Sequence, residues 1–149
     1  MTVTVTLKDF ITANRISMTA VLCDRNPNNP DWTDADHWKV TFTRREQTGK
    51  RYNARKDGTA VVAKLTTYFS MGYGHKGQAP DAESVLDCLS SDASYLDMPF
   101  SEWAIDMGYD PDSRKAERIY KAREHGASRL KRFLGDDLYQ TLLFGTERL

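Results

Sequence analysis

The first half of the chain alternates apolar and polar residues with the period of two that is typical of β-strands. This alternation over Ile16 to Asp24 and over Trp38 to Thr43 predicts two strands. Pro and Asn favour turns, so the cluster from Asn26 to Asp31 indicates that the chain reverses between them. The segment from Thr59 to Met71 is rich in Val, Thr, Tyr and Phe and predicts a third strand. We expect a small antiparallel sheet of about three strands.

Helical spacing dominates the second half, where apolar residues recur every three to four positions. A short helix with a capping-box start is also predicted earlier, over 6–14. In the second half, one helix is predicted to begin at Pro80, and a short one is capped by Ser101 and ended by Gly108. The longest helix is predicted over 111–134, after Asp110 as its N-cap, and a last helix is capped by Asp136. Because strands come first and helices second, we predict an α+β fold. One domain is expected over 1–149, strand-rich over 1–78 and helical over 79–149.

The charge of the chain is balanced in total but unevenly distributed. Its 149 residues include 21 Lys and Arg and 21 Asp and Glu. Nine carboxylates and no Lys or Arg lie between Asp81 and Asp112. Eight basic and two acidic residues lie between Lys39 and Lys64, and the same numbers recur between Arg114 and Arg132. Since partners respond to local potential, a neutral total is compatible with strongly charged binding faces.

Composition excludes several classes of protein. No apolar run approaches the length of a membrane span, and the N-terminus lacks the pattern of a signal peptide. Cys23 and Cys88 are far apart and have no Cys or His at ligand spacing, which favours a reduced, cytoplasmic setting. The three histidines (His37, His75 and His125) also lack the spacing of a metal site. We therefore predict no bound metal and no cofactor.

Motifs of catalysis are weak in this chain. The glycine-rich segment from Gly72 to Gly77 could cradle a phosphate, but Lys76 is not followed by Ser or Thr, so a sharp strand-to-helix connection is favoured. Cys88 lies beside the apolar stripe of a predicted helix and is expected to be a packed thiol. No serine lies in a Gly-x-Ser-x-Gly elbow. We predict that the protein is not an enzyme and has no catalytic residues; an enzymatic role is a third hypothesis, supported only by the glycine segment and His75.

The acidic segment has two interpretations. Its carboxylates could pair with the basic residues of 114–132 inside the same fold, or they could form a surface for a basic partner. The residues predicted for such a partner-binding acidic face are Asp87, Asp92, Asp97, Glu102 and Trp103.

The basic segment before the third strand is the clearest electrostatic signal for nucleic acid. It is expected to form an exposed, mobile loop over 46–58, in which Tyr52 could stack on a base. The residues predicted for this partner-binding basic loop are Arg44, Arg45, Lys50, Arg51, Arg55 and Lys56. A solvated hairpin tip would have the same composition.

Several blocks of the sequence resemble a family of small proteins encoded by bacteriophages, prophages and other mobile elements. The blocks are Asn26-Pro27-Asn28, Asp36 to Thr41, Tyr68 to Gly72, Ala79 to Ala93, Phe100 to Trp103, and Gly108 to Glu117. Together they cover most of residues 10–145, while the segment 46–62 has no counterpart in the family pattern. The family has no established activity, so the resemblance transfers no catalytic residues.

The resemblance implies a genomic context, because small proteins of such elements often take over or inhibit host systems. Our first hypothesis is therefore an accessory protein that binds a host protein complex in the bacterial cytoplasm, such as a CRISPR effector, as an anti-CRISPR inhibitor would. A small nucleic-acid-binding module that uses residues 44–56 is the alternative.

Overall fold

The computed structural model of this protein describes residues 5–27, 35–47, 58–72 and 77–147, with the side chains of Asp97 and Glu147 left out. It is an α+β fold, as the sequence predicts. The elements in chain order are β1 (Val5–Thr6), α1 (Leu7–Ala13), β2 (Ile16–Cys23), β3 (Asp36–Gln47), β4 (Thr59–Met71), α2 (Ala82–Ser94), a 3₁₀ turn (Tyr95–Asp97), α3 (Phe100–Asp106), α4 (Arg114–Leu134), α5 (Asp136–Phe144) and β5 (Thr146–Glu147).

The three long strands form an antiparallel sheet in the order β2-β3-β4. The central strand pairs Phe42 with Met18 on one side and with Leu65 on the other, so these three side chains share a face. This face is the inner one, because Phe42 is fully buried and Leu65 nearly so. A register shift between Arg44 and Arg45 marks a bulge near the end of the β3–β4 pair.

Helix α4 closes the main core against the inner face of the sheet. Leu130 and Phe133 of α4 are buried in the same cluster as Val40 and Phe42. The rings of Phe42 and Phe133 lie 6.3 Å apart, centre to centre. Helix α4 therefore covers one side of the sheet with the buried side chains of its last turns.

A second, smaller core lies at the other end of α4. Trp103 and Ala104 of α3 are fully buried there together with Ala116 of α4. Phe100 and Tyr120 pack against them. The N-terminal turns of α4 thus hold α3 in place, while its C-terminal turns hold the sheet.

Several predicted helix boundaries are corrected by the capping geometry. The long helix begins at Arg114 rather than 111, because Ser113 is the N-cap and its Oγ accepts a hydrogen bond from the Ala116 amide at 3.0 Å. Asp110 instead closes the preceding turn by accepting from the Asp112 amide. Ser101 and Asp136 are residues of helices α3 and α5, not their N-caps.

Other boundaries follow the sequence closely. Thr6 caps α1 by accepting from the Asp9 amide. Helix α2 begins at Ala82, two residues after the predicted start at Pro80, because Asp81 is the N-cap and accepts from the Ser84 amide. Gly135 has a φ of +83° and separates α4 from α5, a conformation that favours glycine. The parallel pair of β1 with β5 was not predicted, since each strand has only two residues.

Arg44 joins the sheet to the C-terminal end of α4. Its Nε donates a 3.0 Å hydrogen bond to the carbonyl oxygen of Phe133, and its Nη1 forms an ion pair with Glu46. Carbonyls in the last turn of a helix have no partner within the helix, so this guanidinium satisfies one of them and complements the helix dipole. Only 11% of the Arg44 side chain is exposed.

We expect Arg44→Met to lower the free energy of unfolding by about 1–3 kcal/mol, because it leaves the buried Phe133 carbonyl without its donor. Urea unfolding followed by circular dichroism measures the change. Arg118→Met is the matched control: Arg118 is exposed on α4, and its loss should cost less than about 0.5 kcal/mol. Equal stability of the two variants would show that Arg44 does not anchor the helix end.

Candidate functional site

A cleft of about 280 Å³ lies where β4 meets α2 and α4. Polar groups lie on its walls, and such clefts are the usual place to look for a site. Its walls combine backbone and side chains of Asn26, Thr67 to Ser70, Cys88, Leu89, Asp92, Tyr109, Ile119, Ala122, Arg123, Gly126, Ala127 and Arg129.

An ion pair crosses the cleft between the two helices. The Nη1 of Arg123 on α4 lies 3.6 Å from Oδ1 of Asp92 on α2. The Arg123 guanidinium also lies 5.5 Å from the ring centre of Trp103, within cation–π distance. Burial raises the pKa of Asp92 above its ordinary value, and the positive charge of Arg123 partly opposes this effect. The opposite charges of Asp92 and Arg123 therefore balance each other in this part of the cleft.

Cys88 is the thiol of the cleft. Desolvation raises its pKa to about 11, the carboxylates of Asp92 and Asp87 add to the rise, and Arg123 opposes it. The residue as a whole is exposed, but its sulfur is a neutral thiol at physiological pH. Because the thiolate is the nucleophile and metal ligand, this environment opposes both uses of Cys88. Cys88 is thus not the packed thiol that the sequence predicts, because the residue is exposed at the cleft wall.

A buried polar cluster lies beside the cleft at the end of the sheet. The side-chain amide of Asn26 donates a 3.0 Å hydrogen bond to Ser70 Oγ, which lies 2.8 Å from Nδ1 of His37. Asn26 and His37 are each only 6% exposed. No carboxylate hydrogen-bonds to His37 within the described residues, so the third member of a nucleophilic triad is missing there. The cluster ties the chain after β2 to β3 and β4.

Sequence reasoning missed this cluster. Its three residues come from separate parts of the chain, and no spacing relates them. The register pairs His37 with Ser70 across β3 and β4. Their contact could therefore have been predicted only from a correct alignment of these two strands.

The structure disperses the predicted acidic face. Asp87 is half-buried on α2, Asp92 pairs with Arg123, and Glu102 is exposed on α3. The side chain of Asp97 lies outside the described residues. The Asp92–Arg123 pair supports the interpretation of internal pairing at that position.

Trp103 requires a correction, because it is 0% exposed and cannot contact a partner in this fold. Its ring centre lies 5.6 Å from that of Tyr109, 5.1 Å from that of Tyr120 and 6.2 Å from that of Phe100. An aromatic side chain on an acidic helix is equally compatible with a surface and with a core. In this structure the large apolar area of the indole favours its burial in the small core.

The predicted basic loop is corrected at its start. Residues 44–47 belong to β3, and Arg44 is a buried helix anchor rather than a loop residue. Arg45 is half-buried, and its Nε donates to Thr59 Oγ1 at 3.3 Å. The other four predicted residues (Lys50, Arg51, Arg55 and Lys56) lie in 48–57, outside the described part of the chain, as does most of the loop predicted over 46–58.

The glycine-rich segment is only partly described, since 73–76, with His75, lies outside it. Gly77 has a φ of +82°, and its amide donates a 2.6 Å hydrogen bond to a carboxylate oxygen of Asp36. This amide is therefore engaged by an anion of the chain itself. This hydrogen bond favours a strand-to-helix connection at Gly77 over a phosphate-binding loop.

Comparison of the chain with protein-family models, with curated proteins and with solved structures gave no match. Among the described residues, no three His, Cys, Asp or Glu side chains are grouped so that they could hold a metal ion. No helix in that part of the chain is long and apolar enough to cross a membrane.

We expect Cys88 to react slowly with iodoacetamide at neutral pH, because its thiol ionises only near pH 11. The rate in a Cys23→Ser background should rise up to about pH 11. Asp92→Asn should shift this profile to lower pH, since it removes a negative charge that disfavours the thiolate.

Asp106→Asn is the control for that experiment, because Asp106 is an exposed carboxylate on α3. It should leave the profile unchanged. A midpoint near 8.5, the value of a free cysteine, would contradict a desolvated thiol at the cleft wall.

Proposed function

We propose that this protein acts by stoichiometric binding to a basic surface of another protein, through the outer face of α3. The observation that carries the proposal is the exposure of Ile105, of which 65% is accessible, between two exposed carboxylates, Glu102 and Asp106. An apolar side chain at the centre of a polar rim is the usual composition of a protein interface.

The aromatic cluster beneath α3 supports this proposal. Trp103 and Ala104 point into the small core while Glu102, Ile105 and Asp106 point outward. A seven-residue helix is too short to be stable alone, so this packing is what fixes the outer side chains. A preformed face loses less conformational entropy on binding. Trp103 thus serves the proposed interface as a positioning residue.

Charge defines the kind of partner. The acidic segment from Asp81 to Asp112 contains no Lys or Arg, so the outer face of α3 has no neighbour along the chain to neutralise it. A basic protein surface complements such a face. Complementary charge raises the rate of association and selects the partner, while the affinity depends on the apolar contact of Ile105.

The chemistry of the cleft favours binding over catalysis. Cys88 is protonated at neutral pH, and Asp92 is engaged by Arg123. Neither side chain has the activation that nucleophilic catalysis requires.

The resemblance to proteins of phages and mobile elements suggests where such a partner would be met. We propose an accessory protein that binds a host complex in the bacterial cytoplasm, and a CRISPR effector is the first complex to test for inhibition. This step is an association by genomic context, and the α3 face is the part of the proposal that rests on chemistry.

We expect the tagged protein to capture a basic host protein from nuclease-treated bacterial lysate and to bind it, once purified, with a stoichiometry near one by calorimetry. Ile105→Ala should weaken binding about tenfold at any salt concentration, because it removes an apolar contact. Glu102→Lys with Asp106→Lys should weaken it more, with a loss that shrinks at high salt.

Asp137→Lys is the matched control, since Asp137 is an exposed carboxylate on α5. It should bind like the wild type. Asp92→Lys is less informative, because it would also break the ion pair with Arg123. Capture of the same partners by the Glu102→Lys/Asp106→Lys variant, or turnover of a substrate by substoichiometric wild-type protein, would overturn the proposal.

A further inference from the structure

The outer face of the three-stranded sheet is not covered by any element that the structure describes. Strand residues alternate between faces, and the helices pack on the side of Val40 and Phe42. On the opposite side, Thr19 of β2 and Thr66 of β4 are exposed and Thr41 of the central strand is half-buried. This open side is called the outer sheet face below.

The register arranges the open part of the outer sheet face in three rows across the strands. The next row beyond these, Cys23-His37-Ser70, is closed, because His37 is buried and Ser70 accepts a hydrogen bond from the side-chain amide of Asn26. The middle row consists of Thr19, Thr41 and Thr66. The rows on either side are Ser17-Thr43-Lys64 and Val21-Lys39-Tyr68. Hydroxyl groups of threonine therefore form the centre, and two lysines and a tyrosine lie at its border.

The outer sheet face is positively charged. Lys39 and Lys64 are exposed, and Arg129 of α4 reaches the edge of β4, where its Nη1 donates to the carbonyl oxygen of Thr66 at 3.4 Å. The acidic side chains of β3, Asp36 and Glu46, alternate to the other face. Among the described strand residues, the outer face carries no carboxylate.

We propose that the outer sheet face binds single-stranded nucleic acid. Lysine and arginine would contact phosphates, and threonine hydroxyls would donate to phosphate or sugar oxygens. The Tyr68 ring, half-buried beside Lys39, would stack on a base. An open sheet face can accept a strand with splayed bases, whereas reading a duplex needs an element that enters a groove.

This site is distinct from the protein-binding face proposed above and does not depend on it. The earlier hypothesis of nucleic-acid binding placed the contacts in residues 44–56. The present proposal places them on β3, β4 and α4, with Lys39, Lys64, Tyr68 and Arg129 as the contact residues.

The test is fluorescence anisotropy with a labelled oligothymidylate of about 12 nucleotides in about 50 mM salt. The wild-type protein should bind it more tightly than it binds a duplex of the same length. Lys39→Gln with Lys64→Gln should weaken binding about tenfold and make the salt dependence of log K shallower by about 1.4, since each phosphate contact to a single strand contributes about 0.7. Tyr68→Leu should weaken it about tenfold with little change in salt dependence.

Arg114→Gln with Arg118→Gln is the matched control. It removes the same charge from exposed positions of α4 that lie about three and four turns before Arg129. It should retain the affinity of the wild type, as should Glu102→Lys/Asp106→Lys, which tests the protein-binding face. Circular dichroism confirms that each variant is folded.

Three results would overturn the proposal. The first is no binding of the oligonucleotide at about 100 µM protein in low salt. The second is equal binding of duplex and single strand with no effect of Tyr68→Leu, which would show a non-specific polyanion surface. The third is a loss in the Arg114/Arg118 control as large as that in the Lys39/Lys64 variant, which would place the contacts on the N-terminal part of α4 and not on the outer sheet face.

Discussion

The arrangement of the fold depends on the packing of α4, because this one helix contributes to both buried clusters. Its N-terminal part supplies Ala116 to the small core around Trp103, and its C-terminal part supplies Leu130 and Phe133 to the main core under the sheet. A 21-residue helix is about 30 Å long, so it sets the separation of the two cores. The Arg44 guanidinium at the Phe133 carbonyl then fixes the end of the helix against β3.

This arrangement explains why the surfaces of the protein differ in charge. The acidic segment folds into α2 and α3, which lie on the helical side, and Asp92 is drawn into an ion pair with Arg123. The strands direct Lys39 and Lys64 to the open side of the sheet and their carboxylates away from it. The two proposed surfaces therefore carry opposite charge on separate elements, and binding at one does not require the other.

The cleft between β4, α2 and α4 has a different character from both surfaces. Its ion pair is internally balanced, its thiol is protonated, and the Ser70 hydroxyl is hydrogen-bonded to Asn26 beside His37. Polar groups that satisfy one another stabilise the junction of sheet and helices. The ionisable and hydroxyl side chains of the cleft therefore mainly connect secondary-structure elements. This is consistent with a function that depends on binding through exposed surfaces.

The sequence by itself determined the elements, since their causes are local. Alternation defined β2 and β3, composition defined β4, and the capping-box pattern at Thr6 marked the start of α1. The sequence predicted Asp110 as the N-cap of α4, and this prediction was wrong, because Ser and Asp are both good N-caps and the choice of Ser113 depends on where packing begins.

Only the tertiary structure decided which functional residues are available to a partner. Trp103 and Arg44 were both expected on binding surfaces, and both are buried, because the apolar ring completes a core and the guanidinium satisfies a helix end. In the Asn26–Ser70–His37 cluster and in the three open rows of the outer sheet face, directly paired residues are 18 to 44 positions apart. Such contacts depend on strand register and helix packing, which are long-range properties that no local pattern encodes.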